Sequence, residues 1–227
     1  MIEQLILDLP AIPALGREDF FVSTANVTAV NALEDWRNWP HRKMALIGEQ
    51  GAGKSHLTRV WAGASGARVI AAQDLTGIDI KAVCEGPVAV EDADRIAGQD
   101  AHEIALFHLH NLVLAQGHSL LVTGGRAPAH WPLTLPDLKS RMAATPIVPI
   151  DAPDDALLAA GMLKLFADRQ LQVSPNLLSY LTRRIDRTFA AARTTVEALD
   201  RAALAQGRAV TRSLAAAVLD NACKESA

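Results

Sequence analysis

Apolar residues fall along the chain in two rhythms. Over the first two thirds, short runs rich in β-branched residues cover 44–47, 67–71, 88–90, 119–123 and 147–150. Glycine, proline or acidic residues bound several of these runs, and stretches of helical spacing separate them. That alternation predicts an α/β fold, a parallel sheet whose strands are joined by helical crossovers. The helices are expected over 26–36, 55–64 and 100–116, the last stopped by Gly117. After Pro153 the strand rhythm is lost. Segments 154–169, 174–184, 186–207 and 211–223 all read as helices, with Asp151 and Asp154 as candidate caps for the first and Ser174-Pro175 opening the second. Three parts follow: an extended opening peptide over 1–10, an α/β domain over 11–151 and a small all-helical domain over 152–227.

One segment carries definite chemistry. Gly48-Glu49-Gln50-Gly51-Ala52-Gly53-Lys54-Ser55 fits G-x-x-x-x-G-K-[ST], after a predicted strand and before a predicted helix. A loop that wraps phosphate with inward backbone N–H groups needs glycine wherever a side chain would intrude. The following helix aims its positive end at the phosphates. Gly48, Gly51, Ala52, Gly53, Lys54, Ser55 and His56 are therefore the candidate nucleotide-binding residues, with Lys54 for the β/γ-phosphates and Ser55 for Mg²⁺. About 40 residues on, Val88-Ala89-Val90 ends in Glu91 and Asp92, acids suited to holding Mg²⁺ and positioning water.

The composition narrows the partners. The 227 residues are 50% hydrophobic with a net charge of −3 and no basic block, so tight nucleic-acid binding by this chain alone is not expected. Cys84 and Cys223 have no metal-type spacing, and a reduced cytoplasm suits them. The N-terminus lacks a basic region and its apolar run is broken by Asp8 and Pro10, so no signal peptide is expected. No apolar stretch approaches the roughly 18 residues that span a bilayer, so no membrane role is expected. His102, His108, His110, His118 and His130 crowd one region without a metal spacing and are expected at a surface or interface.

The segments "GEQGAGKSHL", "VAVEDADRIAG", "ALFHLHNLVLAQGHSLLVTGGRAP", "LPDLKSRM" and "VEALDRAALAQGR" together resemble the DnaA-related AAA+ proteins, and among them the Hda type. The resemblance spans nearly the whole chain and implies a P-loop AAA+ sheet followed by a helical lid. It implies ADP or ATP with Mg²⁺ as cofactors. It matches Arg141, in "LKSR", to an arginine finger that reaches a neighbouring subunit's nucleotide; the plain reading of Arg141 is a solvated arginine at a helix end. Hda-type proteins also carry a short N-terminal peptide that docks on the polymerase sliding clamp (the β subunit), and Gln4, Leu5, Leu7 and Leu9 match it. Alternating anchors on an extended peptide suit a surface groove, and Pro10 keeps the segment from running into a helix. The competing reading is an edge strand or a tail folded on the chain's own surface. The DNA-binding domain of DnaA is expected to be absent after Ala227.

Three departures accompany the likeness. Glu91 stands where these proteins usually carry Asp as the Mg²⁺ ligand. Gly125 stands where an acid is usual, leaving Thr123 and Arg126 as polar sensor candidates. Ala190 stands where the lid would offer a sensor arginine, with Arg187 and Arg193 three residues to either side and neither preferred. These features suit a protein with at most weak intrinsic ATPase activity. The implied role is a regulator of DNA replication initiation that uses Arg141 to promote hydrolysis of DnaA-bound ATP. The alternative is an autonomous DnaA-like ATPase that loads or remodels a replication component. Self-association is left open.

Overall fold

The computed structural model describes residues 21–225. The opening peptide, with Gln4, Leu5, Leu7 and Leu9, lies outside them. The described chain forms two compact units, 25–151 and 152–225, residues 21–24 joining the second.

In the first unit the five apolar runs become β1 (Lys43–Ile47), β2 (Arg68–Ala71), β3 (Val88–Glu91), β4 (Leu120–Gly124) and β5 (Ile147–Pro149). They form one parallel sheet of order β2-β3-β4-β1-β5. Burial follows that order: β4 is buried throughout and β1 nearly so, whereas edge strand β2 is largely exposed. A strand covered on both faces has no polar side, which is why "MALI" and "LLV" read as unbroken apolar runs.

The helices of this unit are α1 (Val27–Glu34), α2 (Lys54–Ser65), α3 (Ile80–Val83), α4 (Asp100–Ala115) and α5 (Pro136–Ala143). The helix expected over 26–36 is shorter, and a 3-10 turn, Trp36–Asn38, replaces its end. That turn delivers Trp39 onto Trp61 of α2, stacked at 5.3 Å, with Trp36 edge-on to Trp61 at 6.3 Å. Such pairs contribute about 1 kcal/mol each beyond buried area and anchor α2. Neither α3 nor α5 is evident from apolar rhythm. Asp79 caps α3 through the N–H groups of Lys81 and Ala82, and Pro136 opens α5 at a position where its missing N–H costs nothing.

The second unit is all-helical: α6 (Asp155–Ala167), α7 (Pro175–Thr182), α8 (Phe189–Gln206) and α9 (Arg212–Glu225). Leu158, Met162, Phe166, Leu181, Val196, Leu199 and Leu214 form its core. Asp154, Ser174 and Thr188 cap α6, α7 and α8 by accepting the N–H groups of Leu157, Leu177 and Ala191. Each cap contributes about 1 kcal/mol. Asp151 does not cap; its N–H donates to the Ala25 carbonyl. Helix α8 begins at Phe189 and not at Asp186, because Thr188 takes the cap.

Glu103 on α4 ties distant loops together. Its side chain is wholly buried, and its carboxylate accepts the N–H groups of Gly98 (2.7 Å), Thr134 (3.0 Å) and Leu135 (2.7 Å) and the Thr134 hydroxyl (3.0 Å). Burial alone would raise its pKa, but these donors outweigh burial and hold it below the ordinary value of 4.5. A lowered folded-state pKa means stabilisation that is present at neutral pH and is lost as pH falls through that lowered value. Glu103→Gln, which turns an NH₂ toward N–H donors, is expected to cost about 3 kcal/mol at neutral pH. Urea melts of both proteins check this. The gap is expected to narrow as pH falls below the ordinary value of 4.5 and the wild-type carboxylate protonates.

Candidate functional site

The loop 48–53 leaves β1 and enters α2. Gly51 (φ 83°) and Gly53 (φ 107°) are left-handed, a conformation that costs L side chains about 1–2 kcal/mol. Gly48 is fixed by space instead. Its N–H donates to the Gly124 carbonyl at 3.2 Å, and a Cβ there would meet the Ile150 carbonyl oxygen and approach Ile150 Cγ2 to 2.7 Å. Ala52 is buried, whereas Ser55 and His56 are exposed on the first turn of α2. The Lys54 ammonium donates to the carbonyls of Gly48 (2.6 Å) and Glu49 (2.9 Å). Burial lowers its pKa, opposed chiefly by the nearby charges of Asp92 and Asp94.

The acidic strand end lies beside this loop. Glu91 Oε1 is buried with no hydrogen-bond partner. An orphaned carboxylate oxygen there fits a cation ligand. No group of three or more His, Cys, Asp or Glu among the described residues could hold a metal ion by itself. Mg²⁺ in nucleotide sites keeps several waters and takes one or two carboxylates plus phosphate oxygens. Glu91 and Ser55 would hold it, and it would neutralise charge between phosphate oxygens. Asp92 is left-handed (φ 54°), and its carboxylate lies 3.3 Å from Arg95. Thr123 is buried, and its hydroxyl accepts the Asp92 N–H at 2.9 Å, linking the ends of β3 and β4. Asp94 carries no motif of its own in the sequence; its Oδ2 accepts the Gly125 N–H at 2.7 Å.

Arg141 lies elsewhere in the same unit. It is exposed near the end of α5, its guanidinium 5.3 Å from the Phe107 ring centroid. Its carbonyl accepts the buried Lys43 ammonium at 2.8 Å. Burial lowers the Lys43 pKa, as does the Arg141 charge. Lys43 opens β1 and Gly48 follows its last residue, so the sheet separates these two ends by about 17 Å. His110 corrects the surface expectation. It shares the buried face of α4 with Leu106 and Val113, one helical turn to either side, and is 2% exposed. Its pKa is pushed down to about 4, mainly by burial, with Lys43 and Arg141 adding to the effect against the hydrogen bond that its Nδ1–H donates to Asn111 Oδ1.

In the helical unit, Arg187 and Arg193 do not share a helical face. Arg187 precedes the cap of α8 and pairs with Asp155 at 2.9 Å, whereas Arg193 is exposed on α8 itself.

No family model and no curated protein matches the chain. Solved structures do. Domain III of the Thermotoga maritima replication initiation protein DnaA superposes with TM-score 0.75 at 18% identity, over 93% of this chain and 98% of that one. A DnaA bound to AMPPCP and single-stranded DNA gives 0.63 at 19% identity, over 84% of this chain; the chain spans 65% of that DnaA's length. A Thermotoga maritima RuvB variant gives 0.67 at 16% identity, over 86% and 67% of the two chains. The fold is that of the DnaA-like AAA+ domains. In this chain the loop 48–53 stands at the carboxyl ends of β1, β3 and β4, where open parallel sheets take ligands. Among the described residues, no helix is long and apolar enough to cross a membrane.

The packing at Gly48 is testable. Gly48→Ala sets a methyl against backbone that β1 and β5 hold in place, so it is expected to destabilise the protein by about 1–3 kcal/mol and to weaken nucleotide binding. Thermal melting and labelled-nucleotide titration check both effects.

Proposed function

We propose that this protein is a nucleotide-binding regulatory adaptor of replication initiation. It holds ADP or ATP with Mg²⁺ on the loop 48–55 and docks on the polymerase sliding clamp through Gln4, Leu5, Leu7 and Leu9. It presents Arg141 to ATP-bound DnaA and promotes hydrolysis there.

The observation that carries this reading is the separation of Arg141 from the chain's own phosphate loop. The two stand at opposite ends of β1, and the Lys43 contact fixes the Arg141 backbone at the far end. A guanidinium held there cannot serve the nucleotide of its own loop, yet it is exposed and supported from below by an aromatic ring. It always carries its charge and offers a planar fork to a developing anion. Such an arginine is built to act on a second subunit's nucleotide. The DnaA-like fold supplies the kind of partner, since like folds assemble through matching edges.

The test is conversion of DnaA-bound ATP to ADP in the presence of clamp and DNA. Wild-type protein is expected to accelerate it, and Arg141→Ala to lose about 10³-fold or more of that acceleration. Arg141→Lys is expected to rescue poorly, since a point charge lacks the fork. Full stimulation by the alanine variant would move the finger elsewhere, with Arg126 and Lys139 next to examine. No stimulation by the wild type would favour an autonomous ATPase. Gln4→Ala with Leu5→Ala is expected to abolish clamp binding in a pull-down while melting stays within about 2 °C of wild type.

A further inference from the structure

Gly124 and Gly125 end β4 without positive φ, so backbone freedom does not call for glycine at either. Space does. A Cβ on Gly124 would come within 2.7 Å of Trp131 Cζ2 and 3.3 Å of Asp94 Cγ, and a Cβ on Gly125 within 3.2 Å of Asp94 Oδ2. The Asp94 carboxylate thus crowds the position a Cβ on Gly125 would take, and it is anchored by the Gly125 N–H at 2.7 Å. The bond is short for N–H to a carboxylate and joins the ends of β3 and β4.

Glu91, Asp92 and Asp94 all bear on the charge of Lys54. They are not equivalent. Asp92 is partly neutralised by Arg95. Asp94 makes no ion pair among the described residues, and the one hydrogen bond its carboxylate accepts there is from the neutral Gly125 N–H. Like Glu91, it is a negative charge beside the phosphate loop without an ion pair among the described residues. Alone it repels a bare triphosphate; with a divalent cation between them the repulsion becomes a bridge.

We propose that Asp94, and not Asp92, is the positioning acid of the nucleotide site, and that it makes ATP binding depend on Mg²⁺. Glycine at 125 leaves room for the Asp94 carboxylate, which reaches that spot from the turn that follows β3. The proposal rests on the nucleotide-binding reading above, and the experiment separates the two.

ATP affinity is titrated with Mg²⁺ and with EDTA for wild type, Asp94→Asn, Asp92→Asn and the relocated pair Asp94→Gly with Gly125→Asp. Asparagine keeps an acceptor for the Gly125 N–H, so Asp94→Asn tests the charge while sparing the link between strands. Wild type is expected to bind ATP more tightly with Mg²⁺. Asp94→Asn is expected to lose about 10-fold of that enhancement, Asp92→Asn less than about 2-fold, and the relocated pair to recover most of it. An unchanged enhancement in Asp94→Asn, with or without a fall in melting temperature, overturns the proposal, as does a larger loss in Asp92→Asn. Wild type that binds no nucleotide in either buffer overturns the nucleotide reading itself, and this proposal with it.

Discussion

The parallel register of β1 between β4 and β5 is the constraint from which the remaining geometry follows. Ala45 and Leu46 are completely buried there, and every neighbouring strand runs the same way. A parallel sheet has two unlike edges. All carboxyl ends gather on one, where loops enter helices and N–H groups are free for anions; all amino ends gather on the other. In this protein the first edge carries Gly48, Lys54, Glu91, Thr123 and Asp94. The second carries Lys43 and, above it, Arg141. The two chemistries are kept apart by the length of one buried strand.

Buried polar groups hold each edge in place. At the phosphate-loop edge, Thr123 links to Asp92 and Asp94 to Gly125, so the ends of β3 and β4 are tied together. At the other, Lys43 surrenders its hydration to bond the Arg141 carbonyl, while Glu103, in the first turn of α4 on the phosphate-loop side, secures the entrance to α5 through Thr134 and Leu135. A buried charge without such partners would cost several kcal/mol. Once satisfied, it allows one arrangement of the loop and not its neighbours. His110, neutral because it is buried close to two cations, belongs to the same edge.

What the sequence made legible was whatever is dictated locally. A loop that wraps phosphate needs glycine where a side chain would intrude, an apolar run between crossovers must be a doubly covered strand, and Ser174-Pro175 must open a helix. Contacts between residues far apart in the chain were not legible. Nothing in "DAHEI" announces that Glu103 will meet Thr134 and Leu135, and nothing in "EDADR" distinguishes the acid paired with Arg95 from the acid lodged against Gly125. Arg187 and Arg193 looked equivalent until Thr188 proved to be the cap that leaves one outside the helix. His110 read as surface because polarity outweighed its place on the helical period. The opening peptide, whose pattern poses the plainest question in the sequence, lies beyond the described residues.

The account's central claim is that the phosphate loop and Arg141 serve different nucleotides. The most direct measurement is the affinity of labelled ADP for wild type, Lys54→Ala and Arg141→Ala, at a protein concentration too low for self-association. The account predicts that Lys54→Ala loses most of the affinity, because a charge-assisted contact is deleted. Arg141→Ala is predicted to bind as wild type does. A comparable loss in Arg141→Ala would mean that the arginine reaches its own loop, and the division between the two edges of the sheet would be wrong.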